Sequence, residues 1–260
     1  MTNAIRPIGL LIAAFTVLLS TSTTAQDFAW EGSLNSGDVV TIRGVNGKIV
    51  AQPAKNDRVT VEATKEARGD DPDSVEIKVI EDSEGVLICA VYPSRKKRKP
   101  NRCERGDDYR MNVQNNEVQV DFVVWIPSDI NLDAMTVNGA VKVRELEANV
   151  DAVTVNGGID VESAGMVTAR TVNGSIDVHM STSPSEPLEF ITVNGGIRFA
   201  MPENTNASLD IKTVNGRIES DFPIDIRGRW GPRSAEGEVG DGGAEIKLRT
   251  VNGSVRILSD

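Results

Sequence analysis

Aromatic residues are scarce: three Trp, two Tyr and six Phe make up 4% of the 260 residues. A core here must be built from Val, Ile, Leu and Ala. An aromatic sugar platform has little to draw on, since Trp30, Trp125 and Trp230 are scattered along the chain. One histidine, His179, and two cysteines, Cys89 and Cys103, exclude a His-rich metal centre, a four-cysteine zinc site and a dense disulfide scaffold. No cofactor is implied, and no residue is singled out as catalytic, cofactor-binding or metal-ligating. The net charge of −10 argues against a protein whose whole surface binds nucleic acid, so no nucleic-acid partner is expected. At 39% hydrophobic the chain has enough apolar content for a sizeable core, which excludes wholesale disorder.

Residues 1–25 read as a secretory signal peptide. Arg6 is the one charge, the apolar run extends from Ile8 to Leu19, and Thr23 and Ala25 supply small residues for a cut before Gln26. A retained anchor is the alternative, but the run is well short of the ~20 residues a bilayer requires. No later segment is apolar enough to span a membrane. An exported chain, periplasmic or at the cell surface, is therefore expected, with residues 26–260 as one β domain. In an oxidising compartment a lone cysteine pair usually bridges, so Cys89 and Cys103 are expected to close a structural loop rather than to supply a reactive thiol.

Thr-Val-Asn-Gly occurs six times, with asparagines at Asn138, Asn156, Asn173, Asn194, Asn215 and Asn252, and Gly44-Val45-Asn46-Gly47 is a seventh, degenerate copy. After each full copy come any residue and then a branched aliphatic: Val141, Ile159, Ile176, Ile197, Ile218 and Val255. A fixed period of this kind marks a repeat architecture. Two architectures compete for it. Asn-Gly between β-branched residues is a strong hairpin signal, but a two-residue loop at Asn156-Gly157 would place Val155 and Ile159 on opposite faces. A parallel β-solenoid, with coils of about 17–21 residues and Asn-Gly at each corner, lets Val155, Ile159 and Val161 all point inward while Thr154 and Asp160 point out. The asparagines then stack as a structural ladder, and glycine suits a tight corner that requires φ > 0. One coil cannot bury enough to fold alone, so several must form together. The expected fold is all-β, a parallel solenoid.

The regular repeat occupies residues 131–260. On this reading the last interval, from Asn215 to Asn252, is two periods with one corner degenerate, filled by Gly240-Asp241-Gly242-Gly243, and the final coil at 251–258 forms an exposed edge. Residues 26–130 are β but irregular, and the stretch from Asn46 to Asn138 is compatible either with about five more coils or with a small antiparallel sheet.

With Thr-Val-Asn-Gly-x-Ile, Ile42-Arg43-Gly44-Val45-Asn46-Gly47, Cys89-Ala90-Val91-Tyr92-Pro93, Asp221-Phe222-Pro223 and the terminal Gly240-Asp241-Gly242-Gly243 through Val255, the chain resembles the bacterial putative-adhesin family over essentially its whole exported length. The resemblance implies an envelope-associated or secreted β-solenoid of the adhesin type and brings no catalytic residues.

Outward-facing residues need weighing because solenoids include polysaccharide-active enzymes. The row reads Lys142, Asp160, Asp177, Arg198, Glu219 and Arg256 in chain order. Asp160 beside Asp177 would suit a carboxylate pair, whereas alternating charge along the row, with Lys142 beside Asp160 and Arg198 beside Asp177 and Glu219, reads as a structural ladder. His179 has no nucleophile paired with it by motif and reads as a coil-edge histidine. The column Thr136, Thr154, Thr171, Thr192, Thr213 and Thr250 reads either as an exposed ligand-binding array or as ordinary strand threonine.

The sharpest anomaly is basic. Arg95, Lys96, Lys97, Arg98 and Lys99, followed by Arg102 and Arg105, put seven cations on or beside the cysteine-closed loop. Cleavage removes Arg6 and takes the charge to −11; with Glu104 the loop carries +6, which leaves −17 on the body. Such a block reads either as a solvated loop paired with the acidic body or as an element that holds an anionic envelope polymer. The expected function is that of an exported, non-enzymatic adhesion or envelope-interaction module, whose partner is an anionic polymer or another surface protein. A glycan-active enzyme using Asp160 and Asp177, and a purely structural periplasmic protein, are the alternatives. The oligomeric state is not legible.

Overall fold

Each turn of the chain contributes one strand to each of two facing sheets, with the Thr-Val-Asn-Gly corner between them. The computed structural model of the chain describes residues 28–67, 69–94, 100–105, 111–113, 115–228 and 231–260. Residues 1–25, expected as a signal peptide, the basic run 95–99 and Trp230 lie outside the described residues. Within them the sheets have eleven and ten strands, and the single helical element is the short 3-10 turn Pro72–Ser74.

In spatial order, the strands entering the corners are Val39–Arg43, Asn131–Met135, Val150–Val153, Val167–Arg170, Leu188–Asn194, Ala244–Asn252 and Ala207–Asn215, all parallel. Those leaving the corners are Ile49–Pro53, Val141–Leu146, Ile159–Ser163, Ile176–Met180, Ile197–Met201, Val255–Ser259 and Ile218–Ser220, again parallel. The result is a parallel β-solenoid in which residues such as Val141, Ile159, Ile176, Ile197 and Val255 stack in the buried interior. Phe190 and Phe199 fill one wide coil with ring centroids 5.1 Å apart.

The corners superpose. Asn138, Asn156, Asn173, Asn194, Asn252 and Asn215 each donate a side-chain amide to the Oδ1 of the asparagine one coil below, beginning with Asn46, at 2.7–2.8 Å. The flanking residues are inverted from the sequence expectation. The threonine turns inward and the valine outward: Thr136, Thr154, Thr192 and Thr213 are buried, while Val172, Val193, Val214 and Val251 are 36–41% exposed. The hydroxyl decides this. Each threonine Oγ1 donates to the glycine carbonyl of the coil below, as Thr154 does to Gly139 at 2.8 Å and Thr192 to Gly174 at 2.8 Å. A buried carbonyl needs such a partner, and valine cannot supply it. An exposed threonine array for ligands therefore does not exist.

The corner glycine is also required for a different reason than expected. Gly47 has φ of 128°, but Gly139, Gly157, Gly174, Gly195, Gly216 and Gly253 do not have positive φ. A Cβ on Gly157, Gly174 or Gly195 would instead lie 1.9 Å from the carbonyl oxygen of the glycine below. Close passage of one backbone over the next excludes every side chain.

Strands from outside the repeat extend both sheets at the Asn46 end and the eleven-stranded sheet at the other. Because Asn46 bridges directly to Asn138, the intervening residues add no coils to the stack between those two corners. They extend both sheets outward instead. Gly85–Val91 runs parallel to Val39–Arg43 and is covered by antiparallel Glu76–Asp82. Gln119–Ile126 runs parallel to Ile49–Pro53 and is followed by antiparallel Val59–Glu66 and Phe28–Gly32.

At the far end the chain order and the spatial order part. After Ala207–Asn215 and Ile218–Ser220, the chain returns as Asp225–Arg227 and then Arg233–Val239, the latter antiparallel on the outer side of Ala207–Asn215. Gly240, at φ of 60°, and Gly242, at 74°, turn it back into Ala244–Asn252, which lies on the inner side. The glycine cluster is thus a turn that carries the chain across the end of Ala207–Asn215, from its outer to its inner side, and not a solenoid corner. The final coil is interior and not an exposed edge, because Arg233–Val239 already occupies the outer hydrogen-bonding side of Ala207–Asn215.

The glycine argument yields a matched test. Gly174→Ala should cost at least ~2 kcal/mol or prevent folding, whereas Gly158→Ala, whose Cβ would meet nothing closer than Ser175 O at 3.4 Å, should stay within ~1 kcal/mol of the parent. Urea unfolding of the pair measures it, and equal stabilities would refute the close-approach explanation.

Candidate functional site

Gly85–Val91 is buried along its whole length. Its inner side chains Val86, Ile88 and Ala90 face the main core, while Leu87, Cys89 and Val91 form a separate outer cluster with Cys103, packed against Met111 and Met135. The cover is the segment that follows the strand. Cys89 and Cys103 are joined with a Cα–Cα distance of 5.6 Å and a sequence separation of 14. Asn101 closes the base of this segment by donating to Tyr92 O at 2.9 Å and accepting from Asn112 N at 2.9 Å.

Arg105 fastens the segment to the body. Its Nε and Nη2 donate to the Asp82 carboxylate at 2.9 and 3.0 Å, and its Nη1 donates to Thr41 Oγ1 at 2.7 Å. The guanidinium holds the Asp82 carboxyl below its ordinary value, with a backbone hydrogen bond from Glu84 acting in the same sense. Arg102 differs: its side chain is 72% exposed and its guanidinium is 3.7 Å from Glu104. Arg95, Lys96, Lys97, Arg98 and Lys99 lie outside the described residues, between Ser94 and Pro100. A hollow of about 310 Å³ at the base of the segment is lined in part by Glu76, Lys78, Tyr92, Pro93, Pro100 and Asn101.

On the outer face of the second sheet the charged row runs Lys142, Asp160, Asp177, Arg198, Arg256, Glu219. Arg256 therefore separates Arg198 from Glu219, which chain order made neighbours, and Arg256 Nε lies 2.7 Å from Glu219. Asp160 and Asp177 do stand side by side. Arg144, which the row omits, engages both oxygens of Asp160 at 2.9 and 2.5 Å and reaches Glu162 at 3.2 Å. This holds the Asp160 carboxyl below its ordinary value. Burial raises that of Asp177, opposed by Arg198, whose Nε is 4.0 Å away. The pair is thus one member of an ion-pair network on an open sheet face. His179 lies at 2.6 Å from Asp260. Among the described residues no group of three or more His, Cys, Asp or Glu is arranged to hold a metal ion.

The first sheet carries a charged cluster that the sequence did not signal. Arg43, only 4% exposed, meets Asp133 with two bonds of 2.6 Å. Asp133 in turn lies beside Asp151 in register. Burial pushes the Asp151 carboxyl above its ordinary value; a Thr168 hydroxyl donating at 2.8 Å works against this, and the nearby Asp133 charge adds to it. Arg43 and Asp133 are 90 residues apart, so no local pattern could pair them.

These features define a capped parallel β-solenoid whose distinctive chemistry sits on an inserted, disulfide-fastened segment. The Toastrack DUF4097 profile matches residues 105–258, and the chain belongs to that family. Among solved structures, a putative cell adhesion protein from Clostridium sporogenes is similar, with a TM-score of 0.50 at 10% identity over 90% of this chain and 99% of that one. A putative adhesin from Bacteroides fragilis matches with a TM-score of 0.30 at 8% identity over 89% and 96% of the two chains. No curated protein matches the sequence. No helix among the described residues is long and apolar enough to cross a membrane.

The Asp151 environment makes a signed prediction. Its proton is held more tightly in the folded than in the unfolded chain, so this group favours folding at low pH. That contribution is lost as pH rises from the ordinary carboxylate range through the raised folded value. Asp151→Asn, which keeps an acceptor for Thr168, should therefore melt higher than the parent at neutral pH and equally with it below about pH 3. A difference independent of pH would refute the assignment.

Proposed function

We propose that this chain is an exported, non-enzymatic adhesion module that holds anionic polymers of the cell envelope through Arg95, Lys96, Lys97, Arg98, Lys99 and Arg102. The observation that carries this reading is the fastening of the segment. The disulfide closes the loop around the basic run, and Arg105 is bound to Asp82 and Thr41, so Arg105 serves as an anchor rather than as part of the binding face. A cationic loop tied at its base loses less freedom on binding than a free one, and its positive charge stands against an acidic body. The resemblance to structures named as putative adhesins agrees with this reading at the level of fold. Engagement of Asp160 by Arg144 weighs against the glycan-active alternative.

The test uses teichoic acid or lipopolysaccharide immobilised as the polymer. Replacing all five residues at 95–99 with glutamine should weaken retention by at least about tenfold at low salt and remove its salt dependence. Asp160→Asn with Asp177→Asn should leave retention as in the parent. Retention that survives the glutamine replacements would refute the proposal, and glycan cleavage lost on replacing the two aspartates would favour the enzyme.

A further inference from the structure

Seven Asn-Gly steps of closely similar local chemistry stand in one column, and one of them differs from the rest. In an Asn-Gly step the glycine nitrogen can attack the asparagine side-chain carbon, because no Cβ hinders the approach. To do so the nitrogen must give up its proton, and a backbone N–H held in a hydrogen bond inside a stable ladder is protected from that loss. Six of the seven are so held. Gly47 donates to Asn138 O at 3.0 Å, Gly139 to Asn156 O at 3.1 Å, Gly157 to Asn173 O at 3.0 Å, Gly174 to Asn194 O at 3.1 Å, Gly195 to Asn252 O at 3.1 Å and Gly253 to Asn215 O at 3.2 Å.

Gly216 ends the column. No further coil lies above it, and among the described residues its N–H has no acceptor. Asn215 is exposed. Its amide donates to Asn252 Oδ1 at 2.8 Å, but its own Oδ1 receives no amide from a further asparagine. The carbonyl of Gly216 is covered, by Arg233 Nη1 at 2.8 Å; among the described residues nothing covers the nitrogen.

We propose that Asn215-Gly216 is a site of spontaneous deamidation, and that stacking protects the other six Asn-Gly steps. The Gly216 nitrogen bonds to Asn215 Cγ, the Cγ–Nδ2 bond breaks, and the nitrogen's proton leaves with the departing ammonia to give a cyclic imide. Water then opens the ring at one carbonyl or the other, leaving aspartate or isoaspartate. No oxidant or reductant takes part. Either product lacks the N–H that bonds Asn252, so the last rung of the ladder is lost and a carboxylate appears at the end of the stack. Isoaspartate also inserts a methylene into the backbone and displaces the Gly216 carbonyl from Arg233.

The test is peptide mapping by mass spectrometry of the full chain incubated at mildly alkaline pH, native and in denaturant. In the native protein Asn215 should deamidate at least about tenfold faster than any of the other six, and in denaturant all seven should react at similar rates. Asn215→Gln should remove most of the ammonia released by the native protein. Native rates at Asn215 no higher than at Asn156 or Asn173, or ammonia release unchanged in the glutamine variant, would overturn the proposal.

Discussion

The close passage of one corner over the next governs this molecule. At each Asn-Gly the backbone of one coil runs so near the glycine below that a methyl group would lie 1.8–1.9 Å from its carbonyl oxygen in six of the seven coils. That contact sets the spacing of the corners, and the spacing allows the asparagine amides to reach one another and the threonine hydroxyls to reach the glycine carbonyls. Each such bond is worth only about 0.5–1.5 kcal/mol. Their value lies in acting together, because every rung fixes the same register for the buried aliphatics on both sides of the corner.

The columns are polar, and this explains the unequal ends. Amide and hydroxyl donors all point toward the Asn46 end, and glycine N–H groups all point away from it. At the Asn46 end the threonine position is Gly44, no Asn-Gly corner lies below it to receive a hydroxyl, and the Asn46 amide turns to Asn116 O at 3.3 Å. At the other end the last glycine carbonyl has no threonine above it, and Arg233 takes that role from a strand outside the repeat. Two different caps are needed because the stack presents side-chain donors at one end and, at the other, the carbonyl and N–H of its last glycine. Antiparallel strands lie beyond the parallel stack in both sheets at the Asn46 end and in the eleven-stranded sheet at the other, and there they cover the parallel edges.

Legibility followed sequence distance. The repeat, the inward aliphatics and the asparagine column were readable because they recur at short intervals, and the cysteines because only two exist. The Thr/Val inversion was not, since both residues suit strands and alternation assigns a face only when a neighbour has fixed it. The fastening of Arg105 to Asp82 spans 23 residues and depends on the register of the Glu76–Asp82 and Gly85–Val91 hairpin. Arg144 against Asp160 likewise follows from lateral stacking, and nothing local distinguishes it from any other exposed arginine.

By itself the sequence determined that corners of one kind would recur and that aliphatics beside them would stack, because those demands are local to each copy. The order in which the copies stack was settled only in three dimensions. Seven similar corners fit upon one another in any order, so their sequences carry no instruction to place Asn252 between Asn194 and Asn215. The strand Arg233–Val239 imposed that order: by taking the outer side of Ala207–Asn215, it left the inner side as the one place where the last coil could form its hydrogen bonds.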